Sequence, residues 1–273
     1  MKKILIVLVS LLLFGCVEEK KETVTSENNL NLEMTIFKIG KADSILITVG
    51  EKHILIDTGE DEDGDEVLEY LTEHGIETID YLILTHFDKD HIGGANTILN
   101  NSNVLQVIAP NYTKNSRQYN EYTAALIKND ISATILNAKL SVILGSAKMT
   151  ISPAEKRSYK QDNDYSLVVS IEHGYNSFLF AGDAEEVRLA ELIEQGNLAY
   201  TFLKVPHHGR FNNKSTEFIQ EVRPKYAVIT SSDKNPEDDK IMDVLESVGA
   251  AVYTTRNGNI SVVSDGKTIA IQQ

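Results

Sequence analysis

A single short segment holds most of the side chains that could carry chemistry. Residues 85–94 read THFDKDHIGG, and they place four potential metal ligands close together: His86, Asp88, Asp90 and His91. Imidazole nitrogens and carboxylate oxygens bind divalent metals of intermediate hardness. In an extended segment, residues 86, 88 and 90 point to one side and His91 turns to the next, so the loop can face two neighbouring ions. The alternative is a solvated polar loop with two incidental histidines.

Two later apolar runs also end in potential ligands. FLFAG ends at Asp183, and FLKVP ends at His207 and His208, followed by Gly209. Strand ends at the rim of a sheet are suitable places for metal ligands, so these residues strengthen the metal hypothesis. The alternatives are that Asp183 caps the helix predicted after it, and that the two histidines lie on the surface.

The elements that must position these residues follow from hydrophobic periodicity. Alternating and β-branched runs predict strands within 32–58 and at 81–85, 104–110, 133–136, 141–144, 148–152, 166–173, 176–182, 201–206, 226–231 and 251–255, with a terminal hairpin at 259–272. Helical spacing predicts helices at 66–74, 117–129, 185–195, 215–222 and 238–248. Each half of the chain combines a strand-rich part with alternating strands and helices. This order favours an α/β fold, an αββα four-layer sandwich of two mixed β-sheets flanked by helices, over one open parallel sheet.

The first residues are typical of a targeting segment. Residues 1–15 combine Lys2 and Lys3 with an apolar run too short to span a bilayer, which predicts a signal peptide. The run ends at Gly15–Cys16, which resembles the lipobox of bacterial lipoproteins, in which the cysteine is lipidated. We therefore expect a lipidated Cys16 and a flexible tether over residues 16–31, and a folded domain over 32–273. A plain signal peptide or an uncleaved anchor is the alternative.

Composition narrows the function classes. The 273 residues are 42% hydrophobic and 24% charged, which excludes a disordered or fibrous protein. The single cysteine excludes an intrachain disulfide and a cysteine-rich zinc site. Cleavage before Cys16 removes Lys2 and Lys3, which leaves 24 basic against 40 acidic residues and moves the net charge from -14 to -16. Any contact with nucleic acid must therefore be local.

The motifs together resemble a known family. Residues 85–94, 181–183 and 204–209, with ILIDTG at 54–59, look like the metallo-β-lactamase superfamily across most of residues 32–273. The H-x-D-x-D-H form of the first motif, together with residues 40–44 and 163–168, resembles the extracellular hydrolase domain of ComEC-type DNA-uptake proteins. The resemblance implies the αββα metallo-β-lactamase fold and a dinuclear site at one sheet rim.

The resemblance also implies a role for each ligand. The first metal would be held by His86 and Asp88, the second by Asp90, His91 and His207, and Asp183 would bridge both. A histidine that the superfamily often has before the bridging residue is absent here. Asp164 or Asn163 would supply an oxygen in its place, or the first metal would keep an additional water.

The implied chemistry is hydrolysis. An oxygen-rich ligand set shifts preference from Zn²⁺ toward Mn²⁺, so we expect two divalent metal ions, Mn²⁺ or Zn²⁺. Two ions about 3.5 to 4 Å apart would lower the pKa of a bridging water and polarise a phosphoryl or carbonyl oxygen. Asp90 would accept the proton as product forms, and His208 would protonate the leaving group or orient His207.

The expected substrate is DNA, whose phosphodiester bonds the enzyme would cleave at the cell surface. Lys204 and Arg210 are the predicted substrate-binding residues, and Lys156, Arg157 and Lys160, interleaved with Tyr159 and Tyr165, form a second basic run. The alternative for that run is a solvated charge cluster. Two other functions stay open: a hydrolase of small esters, lactams or thioesters, and a non-enzymatic metal-binding surface lipoprotein. Expected partners are the membrane, through the lipid, and a separate channel protein.

Overall fold

The computed structural model describes residues 31–273. The predicted signal peptide, the lipidation site at Cys16 and almost all of the tether lie outside the described residues. Within the described part of the chain, no helix has the length and apolar character that crossing a bilayer requires.

Strands and helices follow one another closely along the described chain. The strands are β1 (Leu32–Ile36), β2 (Ile45–Val49), β3 (Lys52–Ile56), β4 (Thr78–Ile79), β5 (Tyr81–Ile83), β6 (Asn103–Val104), β7 (Val107–Pro110), β8 (Thr134–Leu136), β9 (Leu140–Leu144), β10 (Ala147–Ser152), β11 (Val168–His173), β12 (Asn176–Phe180), β13 (Phe202–Lys204), β14 (Tyr226–Ile229), β15 (Ala251–Thr254), β16 (Ile260–Ser264) and β17 (Ile269–Gln272). The helices are α1 (Asp63–Glu73), α2 (Lys89–Ile92), α3 (Ala95–Asn101), α4 (Arg117–Lys128), α5 (Glu186–Gln195), α6 (Ser215–Val222) and α7 (Asp239–Ser247).

Two large mixed sheets form the centre of the fold. The eight-stranded sheet has the order β17-β16-β1-β2-β3-β5-β7-β8; it is antiparallel up to β3 and parallel from β3 to β8. The seven-stranded sheet has the order β15-β14-β13-β12-β11-β10-β9; it is parallel from β15 to β12 and antiparallel beyond. A small two-stranded sheet pairs β4 with β6.

Three apolar layers hold the sheets and helices together. One layer lies between the two sheets and includes Ile47 from β2 and Phe178 from β12. A second lies between the eight-stranded sheet and helices α1, α3 and α4, and a third between the seven-stranded sheet and helices α5, α6 and α7. Ile47 faces the inner layer while its neighbour Leu46 faces the helices. Burial on both faces explains why strands such as ILITV read as continuous apolar runs. The predicted four-layer αββα sandwich is confirmed.

The parallel strands explain where the site lies. Asp57 follows β3 and His86 follows β5, which run parallel in one sheet. Asp183, His208 and Thr230 follow β12, β13 and β14, which run parallel in the other. Carboxyl ends of parallel strands share one edge of a sheet, and ligands bind at that edge in open α/β sheets. Each sheet thus supplies part of one constellation.

Candidate metal centre

Three histidines direct the same ring atom toward the centre of the site. The Nδ1 atom of each is held from outside: His86 by the Thr85 hydroxyl (3.1 Å), His91 by the Asp57 carboxylate (2.8 Å) and His208 by the Thr230 hydroxyl (3.0 Å). The Nε2 atoms of all three are buried and have no hydrogen-bond partner among the described residues. This is the orientation of metal-ligating histidines, whose other ring nitrogen bonds an outer group.

The hydroxyl bonds specify the tautomers. The Thr85 hydroxyl donates to Asp57 (2.7 Å), so it can only accept from the Nδ1–H of His86. The Thr230 hydroxyl donates to Asp43 (2.6 Å) and therefore accepts from the Nδ1–H of His208. In neutral imidazole the proton on Nδ1 leaves the lone pair on Nε2. The outer groups thus direct a lone pair inward.

Two carboxylates meet these imidazoles. Asp183 Oδ2 lies 3.3 Å from His91 Nε2 and 3.0 Å from His208 Nε2, and Asp90 Oδ2 lies 3.5 Å from His208 Nε2. The second carboxylate oxygen of Asp183, Oδ1, is buried without a hydrogen-bond partner among the described residues. Possible ligand atoms lie within 4.8 Å of one another in the groups His86–His91–Asp183 and Asp90–His91–His208.

These unpaired atoms are the test of whether a metal fits. A buried polar atom without a partner costs about 1–3 kcal/mol. Here His86 Nε2 and Asp183 Oδ1 have no partner among the described residues, and the Nε2 atoms of His91 and His208 face carboxylate oxygens, with Asp183 Oδ2 at 3.3 and 3.0 Å. Imidazole and carboxylate are ligands for divalent transition metals. The residues present therefore fit a divalent cation.

The charges around the site point to the same cation. Burial lowers the pKa of His86 to about 3, so this imidazole is neutral. Burial also opposes protonation of His91 and His208, but the negative charge of Asp183 outweighs this effect, and Asp57 adds to it at His91. The pKa of His91 therefore lies well above its usual value, and the pKa of His208 is raised to about 9. Without a metal, protons on two imidazoles offset the carboxylate charge. A bound cation would balance the carboxylate charge in place of these protons and displace them.

Two buried aspartates that the sequence interpretation left without a role form the outer support. Asp57 accepts hydrogen bonds from the backbone N–H of Thr85 (2.8 Å), the Thr85 hydroxyl and His91. Asp43, in the turn between β1 and β2, accepts from the Thr230 hydroxyl and from Lys204 Nζ. Both lie in segments that belong to the family resemblance. Asp57 also follows a buried strand directly, as His86 does, and that position was the available clue.

His207 and His208 have exchanged their expected positions. The structure brings His208, rather than His207, beside Asp90 and Asp183. Both histidines have left-handed backbone conformations, with φ of 50° and 54°, and this tight turn separates their side chains. His207 Nδ1 lies 3.3 Å from the Glu185 carboxylate, and its side chain is 27% exposed. Non-glycine residues in such conformations cost of order 1–3 kcal/mol each and persist where surrounding contacts enforce them.

Asp88 and Asp164 lie outside the ligand groups. Asp88 is partly exposed and forms an ion pair with Lys114 Nζ (2.5 Å), which also contacts Asp162 (2.8 Å). Asp164 is buried, and its Oδ1 accepts a hydrogen bond from the backbone N–H of Arg188 (3.0 Å) in the first turn of α5. Asp164 therefore satisfies a helix N-terminus, which is the role considered for Asp183.

The two predicted substrate-binding residues have other partners. Lys204 is not at the rim: only 1% of its side chain is exposed, and its ammonium pairs with Asp43. Burial against a carboxylate stabilises the lysine where it cannot reach a substrate. Arg210 is 39% exposed and forms an ion pair with Asp238 (3.2 Å).

Two glycines allow the ligand loop to pack closely. A Cβ on Gly94 would lie 2.4 Å from the carbonyl oxygen of Thr58 and 2.6 Å from the Cα of Gly64 in α1. A Cβ on Gly93 would lie 2.4 Å from the carbonyl carbon of Glu60. Close packing against the segment after β3 brings His91 to Asp57, and the backbone N–H of Thr58 donates to the carbonyl of His91 (2.7 Å).

Comparison with known families decides the identity of this fold. The family model of the metallo-β-lactamase superfamily matches residues 39–231, which include Asp43, Asp57, the ligand loop, Asp183 and His208. The chain belongs to the metallo-β-lactamase superfamily. Its buried His/Asp cluster is a candidate site for divalent metal ions in a fold of hydrolases.

Among curated relatives, competence proteins are prominent. The chain is 28% identical to "ComE operon protein 3" of Bacillus subtilis over 84% of its length, and 30% identical to "Recombination protein 2" of Haemophilus influenzae over 86%. A "Competence protein ComA" of Neisseria gonorrhoeae is 27% identical over 82% of this chain. The matches span 32%, 29% and 30% of those proteins, so the chain corresponds to about a third of their length. The resemblance to ComEC-type proteins is confirmed.

Solved structures agree on the fold. The chain superimposes on Igni18, a metallo hydrolase of Ignicoccus hospitalis, with a TM-score of 0.56 at 17% identity, covering 85% of this chain and 98% of that one. The metallo-β-lactamase fold protein YhfI of Bacillus subtilis gives a TM-score of 0.57 at 11% identity, covering 89% of this chain and all of that one. At identities of 17% and 11%, the similarity to these two structures shows the fold alone.

Proposed function

We propose that this superfamily member is a metal-dependent phosphodiesterase that cleaves DNA outside the cytoplasm. The observation that carries the proposal is the group of buried, unpaired atoms: three imidazole Nε2 atoms and one Asp183 oxygen, converging at one sheet edge. The relatives named as a recombination protein and as a competence protein support nucleic acid as the substrate. When bound, a divalent metal supplies an activated water and polarises the phosphoryl oxygen.

The described residues support two metal positions unequally. One position has Asp90, His91 and His208, with Asp183 within reach of both histidines. The other has His86 and Asp183. We propose that Asp88 completes the second position, which requires it to leave Lys114. The first position would then fill before the second. Mn²⁺ and Zn²⁺ are the expected ions because the ligands combine imidazoles with carboxylates.

Asp90 has the surroundings of a carboxylate that stays ionised. Its pKa is held far below the usual range because His208, His91 and Lys41 face it, although burial opposes that shift. It therefore stays ionised and able to accept a hydrogen bond throughout turnover. Lys41 donates to Asp90, and about a third of the Lys41 side chain is exposed, so it can contact a substrate phosphate as well. We propose these two residues as the catalytic pair.

The test is metal-dependent turnover of a simple phosphodiester. The purified protein, reconstituted with Mn²⁺ or Zn²⁺, is expected to hydrolyse bis-p-nitrophenyl phosphate and single-stranded DNA. Loss of an outer hydrogen-bond partner of a ligand weakens metal binding about 10- to 100-fold. His208→Ala removes a ligand itself, so it should weaken metal binding by more than that and abolish turnover. His207→Ala is the matched control and should retain bound metal. Hydrolysis of lactams or thioesters without cleavage of either phosphodiester would contradict the proposal.

We propose further that the protein is anchored to the membrane by lipid on Cys16 and works with a separate channel protein. The relatives are about three times as long as the matched segment, and we propose that a partner performs the functions of their remaining length. Radiolabelled palmitate should enter the wild-type protein but not Cys16→Ser. Equal labelling of the two would contradict anchoring at this residue, and crosslinking in intact membranes tests for the partner.

A further inference from the structure

A cavity of about 630 Å³ lies beside the ligand loop and has no part in the chemistry described above. Pro110 and Leu136 from the eight-stranded sheet meet Pro153 and Leu167, from the segment between β10 and β11, in its wall, and polar side chains supply most of the remaining lining. Its volume lies within the range of roughly 300–1,000 Å³ that is typical of sites for small organic ligands.

Direct contacts connect this cavity to the metal centre. The backbone N–H of Leu167, in the cavity wall, donates to the carbonyl of Thr85 (2.9 Å), the residue before His86. The ring of Tyr165, also in the wall, stacks on Tyr112 with centroids 4.2 Å apart, and the Tyr112 hydroxyl accepts a hydrogen bond from the backbone N–H of Phe87 (2.6 Å). A ligand in the cavity therefore lies next to the segment that carries His86.

The charge of the cavity differs from that of the chain. Lys156 and Arg157 line it and are exposed, and neither forms an ion pair within residues 31–273. The one carboxylate in the wall, Glu155, is engaged by Gln195, whose amide donates to it (2.7 Å). On a chain with 40 acidic and 26 basic residues, two unpaired cations beside the metal centre are a local attraction for an anion.

The segment that carries these cations is fixed before any ligand binds. Arg188 is fully buried, and its guanidinium donates to the carbonyls of Ser152 (3.1 Å), Pro153 (3.0 Å) and Ser166 (3.2 Å). Both ends of the segment between β10 and β11 are thus held by one side chain. A ligand that binds to a preorganised segment loses less free energy in ordering it.

We propose that this cavity is a nucleotide subsite of the DNA-cleaving centre. The base and sugar of a nucleotide next to the scissile bond lie against Tyr165 and the two prolines of its wall, and Lys156 and Arg157 bind the adjoining phosphate. The inference rests on the proposed function and specifies where the strand lies. It assigns the basic run at 156–157 to substrate binding, in place of the buried Lys204.

The experiment measures binding separately from cleavage. Fluorescence anisotropy of a short fluorescein-labelled oligothymidylate is recorded in EDTA, at several salt concentrations, for the wild-type protein and for Lys156→Ala/Arg157→Ala. The double variant should bind about tenfold more weakly or worse, and the slope of log affinity against log salt should fall by about 0.7, the contribution of one phosphate contact on a single strand. Thymidine monophosphate should compete better than inorganic phosphate.

The control variant is Lys148→Ala/Lys267→Ala. It removes the same charge from two exposed lysines away from the cavity: Lys148, which lies near the opposite end of β10 and pairs with Glu172, and Lys267, which lies between β16 and β17. This variant should bind like wild type. An equal loss in the control, an unchanged salt slope in the cavity variant, or equal competition by inorganic phosphate would each overturn the subsite. Hydrolysis of bis-p-nitrophenyl phosphate by the wild-type protein reports on the proposed function independently. Its absence, with oligonucleotide binding lost only in the cavity variant, would refute the phosphodiesterase and leave the subsite standing.

Discussion

Asp57→Asn is the sharpest perturbation of the metal centre, because it changes one charge and hardly any volume. Asp57 has a left-handed backbone with φ of 58°, which asparagine also tolerates. The amide oxygen of the variant can still accept from the backbone N–H of Thr85, at 2.8 Å in the wild type. Its NH₂ group, however, would face His91 Nδ1, where the wild-type carboxylate accepts at 2.8 Å.

The consequence is a reversed tautomer of His91. With a donor opposite, Nδ1 must carry the lone pair, so the proton moves to Nε2 and occupies the position directed at Asp183. A metal must then displace that proton and lose the outer hydrogen bond. Loss of such an outer partner weakens metal binding about 10- to 100-fold, which corresponds to about 1.4–2.7 kcal/mol. The Thr85 hydroxyl, which donates to the same carboxylate oxygen at 2.7 Å in the wild type, would lose its acceptor as well. The stability of the chelated protein should therefore fall by about 1–3 kcal/mol for each of these two buried hydrogen bonds.

Competition with a chelator of known affinity measures the metal constant, and thermal denaturation in EDTA measures stability. Asp80→Asn is the matched control, since Asp80 is a buried carboxylate that accepts from Lys52 and from the backbone N–H of His53, at the opposite end of β5 from the ligand loop. It should lose stability but keep the metal constant. A metal affinity of Asp57→Asn within twofold of wild type would refute the proposed role of the outer carboxylate.

Three further predictions concern stability and pH. Gly94→Ala should lower the free energy of unfolding by about 1–3 kcal/mol or more in urea denaturation, because its Cβ would meet the Thr58 carbonyl at 2.4 Å. The control is Gly75→Ala, at a solvent-open position with positive φ, which introduces backbone strain without a clash. Arg188→Met should cost about 3–5 kcal/mol, because Glu191, which it contacts at 3.0 Å, would stay buried without its partner; a loss below about 1 kcal/mol would show that the ion pair does not hold the segment. Protonation of His208, whose pKa is raised to about 9, stabilises the chelated protein. This contribution is fully present below a pH near 6.5, the ordinary pKa of histidine, and is lost as the pH rises through 9. Metal affinity should rise over the same interval, since fewer protons must be displaced; parallel trends of stability and affinity would contradict this assignment.

The sequence predicted the fold closely because every layer leaves a periodic pattern. Helix α6 (Ser215–Val222) coincides with its predicted range. The run ILITV is predicted as a strand from its β-branched residues and from the glycine-rich or charged breaks around it, and it forms β2. The short helix α2 (Lys89–Ile92) was not predicted, because a single turn inside a polar loop has no hydrophobic period.

The residue types of the site were predictable from the sequence, but the directions of their side chains were not. The sequence indicates that His207 and His208 follow a strand, yet only the left-handed turn decides which of them points inward. Similarly, Asp183 was a candidate for the bridging ligand and for the helix cap, and Asp164 only for a ligand, but the packing of α5 against the Asp162–Tyr165 turn assigns the helix N-terminus to Asp164. Lys204 was predicted at the surface because lysine usually is, and its buried pairing with Asp43 depends on a contact between residues far apart in the chain.

The division of the centre between two sheets has a consequence for which ion it accepts. His86, Asp90 and His91 come from the eight-stranded sheet, and Asp183 and His208 come from the seven-stranded one. The gap between these two groups is set by the side chains between the sheets, which do not touch the ions. The apolar layer between the sheets therefore sets the distance between the two groups of ligands. That distance determines the ionic radius of the metal that the ligands can bind. A change in metal preference can then arise from substitutions in the apolar layer, with every ligand left in place.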